Sequence, residues 1–66
     1  MISYTILIVI FRAATDTVIN IPGFGSRSDA AHQIKSLLRA LENDGLINQH
    51  SKISTHVVEV MGDKHD

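Results

Sequence analysis

The segment Ile6–Phe11, with the sequence ILIVIF, places six apolar side chains in succession and constrains the fold more than any other part of the chain. Side chains of a β-strand alternate between its two faces, so a run of this kind presents apolar groups on both. The longer run ISYTILIVIF is rich in β-branched residues, which favours a central strand. One side carries Ile6, Ile8 and Ile10, and the other carries Leu7, Val9 and Phe11. Both faces of this strand therefore need a cover.

The chain has 66 residues, enough for one domain but too few to bury a large core. Domains of this size are usually stabilised by disulfides, a structural metal or oligomerisation. Because the sequence contains no cysteine, disulfides and the common cysteine-based zinc sites are not available. We therefore predict a homodimer. Its predicted interface consists of Ile6, Leu7, Ile8, Val9 and Ile10.

A second strand is predicted from Thr17 to Ile21, because apolar and polar residues alternate in the sequence TVINI. No Asn-Gly or Asp-Gly pair precedes it, so the hairpin is expected to turn through a longer loop around residues 13–16. Pro22, Gly23 and Gly25 predict the end of this strand. The result is a half-buried strand beside the apolar first one.

The segment Ser28–Asp44 has the pattern of an amphipathic helix, with alanine, isoleucine and leucine side chains on one face and polar side chains on the other. Ser26 and Asp29 have capping-box spacing at its start. Gly45 is expected to take the left-handed position after its end, which brings Leu46 against Leu41 in a Schellman motif. Sequence signals thus define both ends of the helix.

A third strand is predicted from Ile53 to Met61, after a polar loop. The order β-β-α-β, with a right-handed crossover through the helix, predicts an α+β fold with a three-stranded sheet in the order 2-1-3. One helix can cover only one face of this sheet, so we expect dimerisation to complete the fold. The predicted domain spans residues 1–62, and residues 63–66 are expected to form a flexible polar tail.

The charge and hydropathy of the sequence indicate the cellular compartment of the protein but say little about its function. The net charge is −1 at pH 7, which gives no strong field toward phosphate or a membrane surface. No Lys or Arg precedes the apolar run, and the run is too short to span a bilayer as a helix. The sequence therefore predicts a cytoplasmic protein that does not bind membranes.

The residues that carry chemistry do not form a recognisable catalytic or metal-binding motif. The loop GFGSRS, residues 23–28, lacks the lysine of a P-loop and the third glycine of a dinucleotide fingerprint. The four histidines are His32, His50, His56 and His65, and none has a helical i, i+4 partner. No nucleophile elbow or acidic pair is present. We predict a non-enzymatic protein with no cofactor and no metal.

Two features remain as candidates for binding a partner. Phe24 lies between two glycines, where turn formation alone does not require an aromatic residue, so its ring is expected either to cover the end of the core or to be exposed as an anchor for a partner. Three basic residues share one side of the helix, and Arg27 precedes it; the alternative for this side is an ordinary solvated face, since Glu42 lies beside Arg39. The candidate contact residues are Phe24, Arg27, His32, Lys35 and Arg39. From the small size and the lack of motifs, we hypothesise a phage or mobile-element accessory protein that inhibits or modulates a larger host protein assembly. The alternative is a nucleic-acid-binding regulator that uses the same helix edge.

Overall fold

The computed structural model describes residues 1–62 and has the predicted element order, β-β-α-β. Its elements are β1 (Ile2–Phe11), β2 (Thr17–Phe24), α1 (Arg27–Asn43) and β3 (Lys52–Met61). The strands form one sheet in the order β2-β1-β3, with β1 antiparallel to both neighbours. The predicted α+β class and strand order are confirmed. The predicted polar tail, residues 63–66, lies outside the described residues.

The core lies between α1 and one face of the sheet. Ile6 and Ile8 have no exposed surface, and Ile10 is 2% exposed. Across the sheet, β2 supplies Ile19 and Ile21 to the same face, and β3 supplies Ile53 and Val57. Ala30 is the fully buried residue of the helix. A residue this small allows the helix backbone to approach the central strand closely.

The second strand ends later than the sequence predicts. We expected Pro22 and the glycines to end it, but β2 continues to Phe24, which pairs with Tyr4. Between the pairs Ile6–Ile21 and Tyr4–Phe24, β1 has one residue and β2 has two. The additional residue in β2 forms a β-bulge. Gly23 takes φ = 97° there, which an L side chain rarely adopts. β2 is an edge strand, and one side of an edge strand makes no hydrogen bonds to another strand. Proline, which lacks an amide hydrogen, is therefore tolerated in β2.

The helix caps agree with the sequence. Ser26 is the N-cap, and its hydroxyl accepts a hydrogen bond from the Asp29 amide at 3.1 Å. At the other end, Gly45 has φ = 81°, and its amide donates to the Glu42 carbonyl. The Leu46 amide donates to the Leu41 carbonyl at 2.9 Å, which completes the Schellman motif. The helix bounds differ from the prediction by one residue at each end.

Replacing Gly45 with Ala is expected to lower the free energy of unfolding by about 1 kcal/mol, because the Cβ atom opposes the left-handed conformation. No atom lies within 4 Å of that Cβ position, so the cost is conformational and not steric. The control is Ala40→Ser on the exposed face of the helix, which should cost only a few tenths of a kcal/mol. Thermal melts that show equal stability for both variants would contradict the assigned cap.

Candidate binding surfaces

The face of the sheet opposite the helix is not covered by any of the described residues. We call it the open face. Several of its apolar side chains are largely exposed, including Val18 at 55%, Phe11 at 48% and Val58 and Val60 at 42% each. Leu7 and Val9, in the central strand, are half-buried. Its other members are Ser3, Thr5, Asn20, Pro22, Lys52, Ser54 and His56.

A shallow groove of about 420 Å³ crosses the open face. Its walls come from all three strands, and most of its lining is apolar. The lining residues are Thr5, Leu7, Asn20, Pro22, Val58 and Val60. Exposed apolar surface that is this continuous is typical of an interaction site in a small protein.

The predicted dimer residues fall on both faces of the sheet. Ile6, Ile8 and Ile10 lie beneath the helix and belong to the core of the chain. Leu7 and Val9 lie on the open face. Dimerisation itself stays a prediction, and in this fold a partner that approaches the open face would touch Leu7 and Val9 but not the three isoleucines.

The three basic residues His32, Lys35 and Arg39 lie together on the exposed side of α1, and we call this surface the helix edge. It borders two shallow depressions. The smaller, of about 290 Å³, is lined by Ser28, Ala31, His32 and Lys35. The larger, of about 450 Å³, is lined by His32, Lys35, Ser36, Arg39, Ala40 and Asn43. The helical spacing of these residues therefore produces one continuous basic surface.

Phe24 and Arg27, the other two candidate contact residues, are held by contacts within the chain. Phe24 is half-buried and packs against the core, so it closes one end of the core. The Arg27 guanidinium lies 5.3 Å from the centroid of the Tyr4 ring, and its Nη1 donates to the Val57 carbonyl at 3.1 Å. These contacts join the start of α1 to β1 and β3. Of the five candidates, only His32, Lys35 and Arg39 form one surface.

A Ser–His contact on the open face was not anticipated from the sequence. The Ser54 hydroxyl and His56 Nε2 are 3.1 Å apart. The sequence feature that could have predicted this contact is the i, i+2 spacing of Ser54 and His56, which places both side chains on one face of a strand. The cross-strand neighbour of His56 is the apolar residue Leu7.

Residues 1–62 contain neither a cluster of metal-ligating side chains nor a membrane-spanning helix. No group of three or more His, Cys, Asp or Glu side chains in this part of the chain is arranged to hold a metal ion. The helix described in this range is also neither long nor apolar enough to cross a membrane.

Comparison of the chain with protein-family models, with curated protein sequences and with solved structures gave no match. The fold and the two surfaces are therefore the basis for an interpretation of function.

Proposed function

We propose that the protein is a non-enzymatic protein-binding module that uses the helix edge to contact an acidic surface of its partner. The observation that carries this proposal is the alignment of His32, Lys35 and Arg39 along an exposed helix face beside two depressions. A helix presents such side chains from a rigid backbone, which lowers the entropy lost on binding. Depressions beside the cations offer places for side chains of the partner.

The alternative function is nucleic-acid binding through the same edge, and the charge and aromatic content of the chain make it the weaker proposal. Binding by neutralisation of the phosphate backbone commonly uses six or more cationic contacts. The helix edge offers Lys35, Arg39 and a histidine, while the chain as a whole has a net charge of −1. Stacking on single strands uses exposed aromatic rings, but Tyr4 and Phe24 pack against the core, and Phe11, which is 48% exposed, lies on the open face and not beside the helix edge.

The hypothesis of a phage or mobile-element accessory protein that acts on a host assembly rests on the small size and the lack of motifs. It stays a prediction. It is compatible with a protein whose working surfaces are outside the core, because a domain of this size has little room for an enclosed substrate pocket.

The test is affinity capture from a lysate of the source cell at physiological salt, followed by mass spectrometry. The tagged wild-type chain is expected to retain a protein in stoichiometric amount, and Lys35→Glu is expected to lose it. The matched control is Gln33→Glu, which places a carboxylate on another flank of the same helix and should keep the partner.

The same variants distinguish the alternative function in a mobility-shift titration with duplex and single-stranded probes. Under the proposal, binding to either probe is weak and is lost as salt rises toward the physiological concentration. Micromolar or tighter binding that persists at physiological salt and disappears in Lys35→Glu would overturn the protein-partner proposal in favour of nucleic acid.

A further inference from the structure

The exposed apolar side chains of the open face indicate a second binding surface, which is separate from the helix edge. We propose that a second copy of this chain covers the open face, with the two-fold axis running along β1, so that Lys52 of each subunit meets Asp16 of the partner subunit. The assembly would be a layered sandwich of helix, sheet, sheet and helix. Both helix edges would remain exposed on its outer sides.

The first argument is the area of the open face. Strands of ten residues at about 3.4 Å per residue, and three strands about 4.8 Å apart, give a face of about 34 Å by 14 Å, or roughly 480 Å² in projection. Two such faces, with the relief of their side chains, bury about 1,000 Å² or slightly more, which is the lower limit for a specific interface. The area therefore reaches the lower limit for a specific dimer interface.

The second argument is that the strand edges are less suitable for pairing than the face. Pro22 lacks an amide hydrogen, and the bulge interrupts the regular edge of β2. On β3, the Val57 carbonyl already accepts a hydrogen bond from Arg27. Prolines, bulges and charged side chains on an edge strand are common means of preventing edge-to-edge association.

The third argument is the distribution of polar groups in rows across the open face. Asn20 and His56 lie in one row, since both pair with Leu7. At one end of the sheet, Lys52 pairs with Phe11, and Asp16 comes directly before Thr17, the partner of Ile10. Asp16 and Lys52 therefore lie at opposite corners of the same end. Their backbones are separated by about two strand spacings, roughly 10 Å.

A two-fold axis along β1 keeps each residue in its own row and places β3 of one subunit over β2 of its partner. His56 then faces the partner's Asn20, Leu7 faces the partner's Leu7, and Lys52 faces the partner's Asp16. Each polar side chain at these positions meets a polar side chain, and each ion pair occurs twice by symmetry.

An axis across the strands gives a poorer match. It would place His56 against the partner's His56 and Lys52 over the partner's Val60, so the Lys52 ammonium group would be covered by an apolar side chain without an acceptor. The distribution of charge on this face therefore selects the axis along β1.

The test is sedimentation equilibrium of the full chain and of charge variants at the two corners. The wild-type chain is expected to dimerise with a micromolar dissociation constant. Asp16→Lys and Lys52→Asp should each weaken dimerisation about tenfold or more, because each change replaces two attractive contacts with two repulsive ones. The double variant should recover the wild-type constant within about threefold, since it restores both pairs with the charges exchanged.

Both corner residues are exposed, so circular dichroism should show the same fold for all variants. A wild-type chain that stays monomeric at millimolar concentration would overturn the proposal. So would a dimer that the single variants do not weaken, which would place the contact elsewhere, such as the β3 edge. A double variant that fails to recover would exclude the axis along β1 and would also overturn the proposal.

Discussion

Replacing Ile8 with Ala is expected to lower the free energy of unfolding by about 2–5 kcal/mol, the largest effect of any single substitution considered for this chain. Ile8 has no exposed surface and lies at the middle of the central strand, directly under the helix. Its truncation removes apolar contacts and leaves a cavity between two packed layers. A domain of this length has a total stability of roughly 3–10 kcal/mol, so a large part of it would be lost.

The measurement is thermal and urea unfolding at one fixed protein concentration. The expected decrease in melting temperature is about 10 °C or more. Ile2→Ala is the control, since it makes the same chemical change at the end of β1, where Ile2 is 46% exposed and lies outside the open face, and it should cost much less. If Ile8→Ala melts with the wild-type chain, Ile8 is not in the core and the assignment of the two sheet faces is wrong.

Replacing Ala30 with Leu is expected to lower the free energy of unfolding by about 1–3 kcal/mol, because it overfills the core instead of leaving a cavity. Ala30 has no exposed surface and belongs to the core between the helix and the sheet. Three additional carbon atoms there must push the helix outward or force neighbouring side chains from their preferred rotamers. The change adds apolar volume and still destabilises the fold.

The neighbouring residue supplies a matched control. Ala31 is exposed, so Ala31→Leu makes the same chemical change one position along the helix without entering the core. Its expected effect on the free energy of unfolding is within about 0.5 kcal/mol. Equal melting temperatures for the two variants would show that the helix presents a different face to the sheet.

The strand order and the helix ends could be predicted because each depends on local signals. Alternation in TVINI identified a half-buried strand beside the fully apolar first one. Gly45 and Leu46 defined the helix end because only a few residue types adopt the left-handed conformation that a Schellman motif requires. The handedness of the crossover then left few possible topologies.

The end of β2 could not be predicted, and the sequence left two alternatives for Phe24, since both depend on the bulge. Pro22 and Gly23 are typical of a turn, but at an edge strand they can also form an irregular step that keeps the strand paired. Once the strand continues, Phe24 pairs with Tyr4 and turns toward the core. A sequence pattern alone does not distinguish these two outcomes.

The side of β1 that the helix covers also required the register. Both sides of β1 are apolar, so β1 alone does not decide which one packs against α1. The neighbouring strands decide it: Ile21 and Val57 flank Ile6, whereas Asn20 and His56 flank Leu7. The helix packs on the more apolar side. The helix edge was simpler to predict, because helical spacing alone places Lys35 and Arg39 together.

The central claim is that the open face packs against its own copy, and intermolecular nuclear Overhauser effects test it most directly. A mixed dimer of carbon-13-labelled and unlabelled chains should give contacts between Leu7 methyl groups of one subunit and Leu7 methyl groups of its partner, near the axis. Contacts from Val18 to the partner's β3 should accompany them. Intermolecular contacts confined to the helix or to the β3 edge, or none at millimolar concentration, would contradict the claim.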